Sequence, residues 1–205
     1  MGAVPAGASG IGLRNRTVRK RYEIAGLVVM EPVLGEEIAW TWANMRPEEK
    51  QEACEAVGFA REEVRGKREE VARIAHAEAA FKAERSFAIY HGYALLAIAT
   101  VETMPDGRKF LSMERTVNAL AKGHRFAWLR GYGPLGRWIA GQYPDGLWTV
   151  TPTDLPRALD VYRHAGAVQT GVTVKVGGRE YWVLRIKVEV KSKSEKGKSE
   201  DVHTF

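Results

Sequence analysis

The chain has 205 residues, of which 31 are Lys or Arg and 25 are Asp or Glu, so its formal net charge is +6 at pH 7. Hydrophobic residues make up 45% and charged residues 27%, a balance that fits a single globular domain and excludes a wholly disordered chain, a coiled coil and a collagen. The single cysteine excludes an intramolecular disulfide and a cysteine-ligated zinc site, and no apolar stretch reaches the length of about 18 residues that a membrane-spanning helix needs.

The first half of the chain predicts one strand followed by helices. Residues 22–30 form a short apolar run, which is typical of a strand. Apolar residues at helical spacing predict a helix over 36–45, and Pro47 suits the first turn of helical structure that continues to Gly58. A further helix is expected over 61–82, where apolar positions recur among charged ones.

From residue 86 onward, the pattern changes to strands joined by tight turns. Turn signals that end in glycine at 91–92, 104–107 and 177–178 predict hairpin connections. A mostly helical stretch over 118–143 and a helix over 154–165 interrupt the strands. The expected strands cover residues 86–90, 93–101, 109–116, 146–150, 168–176 and 179–190.

These elements predict a mixed α/β fold with a central, mainly antiparallel sheet of about seven strands, flanked by about four helices. The helical crossover between 109–116 and 146–150 can place these two strands parallel to each other. We expect the folded domain at 21–190, after a flexible basic arm at 1–20 and before a disordered polar tail at 191–205.

The order of elements resembles the GNAT (GCN5-related N-acetyltransferase) superfamily, and one local segment adds to the resemblance. Ala158, Tyr162 and Gly166 keep the spacing of the Ala-x-x-x-Tyr-x-x-x-Gly pattern in that family, whereas Leu155 stands where the family usually has Asn. The resemblance implies a GNAT-like fold in which the strand ending at Val150 diverges from the preceding parallel strand and opens a V-shaped ligand cleft.

A coenzyme site follows from the same resemblance. GNAT enzymes bind the pyrophosphate of acetyl-CoA with the backbone N–H groups of an Arg/Gln-x-x-Gly-x-Gly/Ala loop at a helix N-terminus. In this chain Leu135 replaces the final Gly or Ala of that pattern. Alternatively, these glycines and Pro134 only kink or split a long helix, and both interpretations predict a break in it. The residues that the resemblance assigns to the loop are Arg130, Gly131, Gly133 and Gly136.

The resemblance also implies a catalytic acid and a catalytic base. Tyr162 lies where many family members place the acid that protonates the departing thiolate, although it could equally pack its helix against the sheet. Glu114 is the favoured base and Glu102 the alternative. The five histidines show no metal-ligand spacing, so no metal is expected.

Basic residues concentrate in two places that suit phosphate groups of either CoA or nucleic acid. Residues 14–21, from Arg14 to Arg21, contain five basic residues and no acid. The stretch 108–137 contains one acid, Glu114, and a predicted basic face. Its basic residues are Arg108, Lys109, Arg115, Lys122, Arg125, Arg130 and Arg137.

Three functions remain open at this point. Segments 44–49 and 124–130 resemble GNAT-like proteins encoded by phages, and the altered loop favours a degenerate, non-catalytic virion component or a partner of phage structural or host proteins. The first alternative is an acyl-CoA-dependent N-acyltransferase that transfers an acetyl group to an amine. The second is a nucleic-acid-binding protein. The expected location is the cytoplasm of a host cell or a virion, without membrane contact.

Overall fold

The computed structural model describes residues 18–56, 67–176 and 178–187 as eight strands and five α-helices. Most of the predicted basic arm and all of the predicted polar tail lie outside these residues. The strands are β1 (Lys20–Ile24), β2 (Leu27–Glu31), β3 (Arg85–His91), β4 (Ala94–Thr103), β5 (Lys109–Arg115), β6 (Leu147–Pro152), β7 (Ala167–Val176) and β8 (Arg179–Ile186). The helices are α1 (Gly35–Asn44), α2 (Pro47–Ala56), α3 (Lys67–Lys82), α4 (Arg125–Ala140) and α5 (Pro156–His164).

All eight strands form one sheet in the order β1-β2-β3-β4-β5-β6-β8-β7. Neighbouring strands are antiparallel except β5 and β6, which are parallel as the crossover predicts. The strand expected over 22–30 is a hairpin, which raises the strand count from seven to eight. The chain turns at Ala25 and Gly26, whose φ angles of 50° and 84° suit the tight turns that favour glycine.

The helices cover both faces of the sheet. On one face, Ile38 of α1 and Ala80 of α3 pack with Ile98 of β4. On the other face, Trp128 and Leu135 of α4 pack in the main core against β2, β3 and β4. Each face of the sheet is therefore covered by its own layer of helices. Because both faces are buried, the central strands consist mostly of apolar residues.

Helix α4 is continuous, so the predicted break at its glycines is wrong. Pro134 lies inside the helix, and the three glycines face buried neighbours. A Cβ atom at Gly133 would lie 2.7 Å from the carbonyl oxygen of His164, and one at Gly136 would lie 2.8 Å from Cβ of Ala165. Gly133 and Gly136 thus let α4 approach the C-terminal end of α5 closely, and Gly131 lets it approach Leu27 of β2, which offsets their cost of about 1 kcal/mol each in a helix.

The folded body begins earlier than the predicted boundary at residue 21. Lys20 is the first residue of β1. The Arg19 guanidinium lies 2.9 Å from the Glu37 carboxylate and donates to the Pro32 carbonyl oxygen at 3.0 Å. These two basic residues therefore belong to the domain. In the ranges that the structure describes, no helix has both the length and the apolar character needed to cross a membrane.

Candidate active site

Strands β5 and β6 diverge from a single paired position. Phe110 of β5 is paired with Trp148 of β6, and no other residue pair joins the two strands in the described sheet. Two guanidinium groups contact the Trp148 ring, that of Arg108 at 4.7 Å from the ring centroid and that of Arg185 at 5.5 Å, and these contacts stabilise the paired end. The predicted divergence of the strand that contains Val150 is therefore confirmed, and it leaves a gap in the ladder between β5 and β6, which we call the cleft.

The wide end of this cleft exposes the backbone edge of β5. The Thr116 N–H donates to Leu96 of β4, so by alternation the backbone groups of Arg115 and Met113 point away from β4, towards the cleft. The Arg115 N–H donates to the Glu49 carboxylate at 3.2 Å, and the Arg115 guanidinium lies 2.6 Å from the same carboxylate. Glu49 of α2 thus covers the β5 edge at Arg115. The backbone N–H and C=O groups of Met113 point towards the cleft and are not paired with β6.

Glu114, the predicted base, faces the α1–α3 layer. It lies opposite Ile98 in the β4–β5 register, and its Oε1 is 2.9 Å from Nδ1 of His76 on α3. Its side chain is 25% exposed. The second oxygen, Oε2, is buried and has no hydrogen-bond partner among the described residues. A buried carboxylate oxygen in this state has an unused capacity to accept a proton or a hydrogen bond.

Glu102, the alternative base, lies on the same face of β4, four residues from Ile98. Burial, and secondarily the negative charge of Glu114, raise the pKa of Glu102 above its ordinary value. The raised pKa means that the folded protein holds a proton on Glu102 more readily than the unfolded chain does.

We expect Glu102→Gln to change stability in a pH-dependent way. Between the ordinary carboxyl pKa and the raised one, the folded state binds more protons than the unfolded state, so wild-type stability falls as pH rises through that window. Glutamine carries no such charge, so the variant should gain stability relative to wild type at pH 7 and lose this advantage at pH 4. Urea unfolding at both pH values measures the difference, and an equal difference at both would contradict the assignment.

Tyr162, the predicted acid, lies on the opposite face of the sheet, on α5. Its ring is 6.0 Å from the ring of Tyr132 on α4, in an edge-to-face arrangement. Burial, and secondarily Tyr162, raise the pKa of Tyr132 well above its ordinary value. Tyr162 therefore packs against Tyr132, as the alternative interpretation of this residue predicts. Tyr132 is buried whereas Tyr162 is only partly buried, so the Tyr162 hydroxyl is the more accessible of the two phenols.

On the same face, β6 carries an unpaired hydroxyl. Thr151 alternates with Leu147, which belongs to the core under α4, so both side chains point to the α4–α5 layer. The Thr151 side chain is buried, and its Oγ1 has no hydrogen-bond partner among the described residues. Because buried hydroxyls in proteins are almost always hydrogen-bonded, this group is available to a polar ligand in the cleft.

Of the four residues predicted to bind the coenzyme, one lines an open groove. Arg130 borders a groove of about 560 Å³ between α4 and α5, beside Phe126, Leu129 and His164. The three glycines lie in the interior of α4 and face its packed side, so they are not at a helix N-terminus. The N-terminus that follows β5 is instead at Arg125, after a short 3₁₀ turn at Val117–Leu120.

Three of the seven cations of the predicted basic face form internal ion pairs, and a fourth donates to a backbone carbonyl. Arg108 pairs with Asp106, Lys109 with Glu84 and Arg115 with Glu49. Arg137 donates to the His164 carbonyl oxygen at 2.5 Å. The remaining three basic residues lie just before α4 or in its first half, and these are Lys122, Arg125 and Arg130.

Sequence reasoning missed His76 and Glu49, which contact the neighbouring residues Glu114 and Arg115 at the C-terminal end of β5. Both belong to helices whose patterns predict only amphipathic packing. Glu49 ends the segment 44–49 that resembles phage-encoded proteins, but that resemblance assigns no role to its carboxylate. Their contacts with β5 span 38 and 66 residues of sequence, so no local signal identifies them. Among the described residues, no group of three potential ligands could hold a metal ion.

Comparison with solved structures shows the fold. No protein-family model matches the sequence, and neither does any curated protein. A variant of the spermidine N-acetyltransferase SpeG from Vibrio cholerae is similar, with a TM-score of 0.53, 13% identity, and coverage of 78% of this chain and 93% of that one.

Two further structures give the same result. RimJ from Mycobacterium smegmatis, in complex with CoA-disulfide, has a TM-score of 0.52 and 15% identity, and covers 83% of this chain and 87% of its own. A GNAT-family acetyltransferase from Bacillus anthracis has a TM-score of 0.52 and 9% identity, with 82% and 98% covered. The chain therefore has the GNAT fold, as its sequence predicts.

Proposed function

We propose that the protein is an acetyl-CoA-dependent N-acetyltransferase. The observation that carries the proposal is the divergence of β5 and β6 from Phe110 and Trp148, with a carboxylate on one face of the sheet and a phenol on the other. An acetyl transfer from a thioester to an amine needs a proton acceptor on the amine side and a proton donor at the sulfur. Glu114 and Tyr162 supply these two groups.

The residues around the cleft fit acetyl-CoA, which supplies an acyl carbon activated by its thioester. The free backbone groups of Met113 and the unpaired hydroxyl of Thr151 suit the amide groups of an extended ligand arm. The N-terminus of α4, with Lys122 and Arg125, suits phosphates because the positive end of the helix dipole and two cationic side chains coincide there. Arg130 extends this basic region into the α4–α5 groove.

The roles of the two candidate catalytic residues follow from their positions. Glu114 Oε2, buried and unpartnered, would accept a proton from the ammonium group of the acceptor, which makes the amine nucleophilic. The Tyr162 hydroxyl would donate a proton to the departing sulfur, since a phenol is acidic enough to protonate a thiolate poorly stabilised in a buried site. As the C–S bond breaks, the adduct nitrogen loses its second proton, which would return to the Tyr162 phenolate. The neutral amide and free thiol then leave, and Glu114 passes its proton to solvent.

The contacts of the α4 glycines remove the main argument for a non-catalytic protein. That argument rested on the altered spacing from Arg130 to Gly136, whereas Gly131 packs against Leu27 of β2, and Gly133 and Gly136 pack against His164 and Ala165. The other argument for it, Leu155 in place of the family Asn, stays. An altered spacing there does not count against a coenzyme site at Arg125. A phage origin, a virion or host-protein partner, and nucleic-acid binding through residues 14–21 and 108–137 stay predictions from the sequence.

Acetyl-CoA should raise the melting temperature of the protein. A ligand that binds only the native state stabilises it by roughly 2.7 kcal/mol at a hundredfold excess over its Kd. For a domain of this size, each kcal/mol shifts Tm by about 2–4 °C. Differential scanning fluorimetry with acetyl-CoA measures the shift, and a primary-amine panel that includes spermidine then identifies the acceptor by release of free thiol.

Matched arginine variants locate the coenzyme. Arg130→Ala, in the α4–α5 groove, should reduce the acetyl-CoA shift, because it removes a cation beside the proposed phosphate site. Arg73→Ala, on α3 at the other face of the sheet, should leave the shift unchanged. A wild-type protein without any shift at millimolar acetyl-CoA would refute the proposed function.

A further inference from the structure

His76 is held between α1 and the sheet. Its side chain is 7% exposed, and its Nδ1 lies 2.9 Å from Oε1 of Glu114. The ring packs against the indole of Trp42, with centroids 5.3 Å apart and planes tilted by 42°. Trp42 is itself buried, so the orientation of the imidazole is set by α1 as well as by α3.

This geometry assigns a proton to Nδ1. An ionised carboxylate can only accept a hydrogen bond, so the contact between His76 and Glu114 requires an N–H on Nδ1. The other polar atom of each side chain, Glu114 Oε2 and His76 Nε2, takes no part in this contact. Both atoms are buried and have no hydrogen-bond partner among the described residues. A donor that arrives with a ligand, such as an ammonium group, is the chemical partner that Oε2 lacks.

We infer that His76 is a positioning residue for the proposed acetyl transfer: its Nδ1–H holds one oxygen of Glu114 so that the other oxygen receives the proton of the acceptor amine. The inference rests on the proposed function. The proton moves from the ammonium nitrogen to Glu114 Oε2, the amine keeps its lone pair for attack, and the Nδ1 proton of His76 stays in place. The step needs no other reactant.

The alternative is that His76 only packs α3 against Trp42 and β5. Two variants separate the roles. His76→Asn keeps an amide N–H near the position of Nδ1, whereas His76→Leu keeps apolar bulk and removes the donor. A packing role predicts that the apolar variant is the better tolerated, and a positioning role predicts the reverse order in kcat.

The experiment measures kcat and KM with acetyl-CoA and the best acceptor from the amine panel. We expect His76→Leu to lower kcat by about tenfold or more, a part of the 10²–10⁴-fold contribution of a positioned base, with little change in KM for acetyl-CoA. His76→Asn should retain most of the wild-type kcat. A His76→Leu enzyme with wild-type kcat, or an asparagine variant no better than the leucine one, would overturn the inference.

An imidazole readout distinguishes this failure from failure of the proposed function. In ¹⁵N-edited NMR spectra of the wild type, His76 should show a protonated Nδ1, and Glu114→Gln should shift that signal, because the acceptor loses its charge. An active enzyme without this coupling would refute the role of His76 alone. A wild type that neither binds acetyl-CoA nor releases thiol would refute the proposed function and, with it, the inference.

Discussion

Replacing Glu114 with glutamine should lower kcat for amine acetylation by about 10²–10⁴-fold, the usual contribution of a positioned general base. Glutamine has nearly the same shape and can still accept the hydrogen bond from His76, but its amide cannot take up the amine proton at neutral pH. Acetyl-CoA binding should be preserved, because Glu114 faces the α1–α3 layer and not the α4–α5 layer. Steady-state kinetics together with the acetyl-CoA thermal shift measure both quantities.

Glu102→Gln provides the matched control for this experiment. Glu102 and Glu114 lie on the same face of neighbouring strands, so the two substitutions remove one carboxylate each from one region. Only Glu114 is held by an imidazole with its second oxygen buried. We expect the Glu102 variant to keep most of its activity. If Glu102→Gln lost much of its kcat and Glu114→Gln lost little, Glu102 would be the general base and the assignment of Glu114 would be wrong.

Gly133→Ala should destabilise the protein by about 1–3 kcal/mol, the typical cost of overpacking. This sign is opposite to that of an ordinary helix, where alanine is about 1 kcal/mol more favourable than glycine. The new Cβ would lie 2.7 Å from the His164 carbonyl oxygen, which is backbone and already accepts from Arg137. Urea unfolding measures the change, and Gly133→Val should cost more because its branches add further overlap.

Gly123→Ala is the comparison for the helix glycines. No atom lies within 4 Å of the position that its Cβ would occupy, and its φ angle is not in the left-handed region. Its substitution should therefore change the free energy of unfolding by less than about 0.5 kcal/mol. If Gly133→Ala instead stabilised the protein, the close approach of α4 to α5 would be wrong, and a coenzyme loop at Gly133 would regain support.

The identity of most elements follows from local patterns. Strand β4 is an unbroken apolar run, and the turn at Gly92 and the turn at Gly107 have the positive φ angles that their glycines predict. Patterns of this kind are readable because hydrophobic period and turn chemistry act within a few residues. The same rule, applied to Ala25 and Gly26, would have divided residues 22–30 into two strands.

The glycines of α4 show where local reading fails. Three glycines and a proline within six residues predict a break when only helix propensity is considered. Here a tight approach of α5 requires small residues on that side, and packing free energy outweighs the propensity cost. The contacts responsible join residues 133 and 164, and no pattern within the helix encodes them.

The order of elements and the parallel crossover follow from hydrophobic period, turn residues and chain connectivity, since each of these acts along the chain. The GNAT-like fold is implied by the resemblance of this order to the GNAT superfamily. The same resemblance assigns the acid role to Tyr162, and β-strand alternation leaves the direction of Glu114 open. Packing of the helices on the sheet set that direction: it joined Glu114 to His76 and Arg115 to Glu49. Such contacts join residues far apart in sequence, and their strength depends on burial and distance, which exist only once the chain has folded.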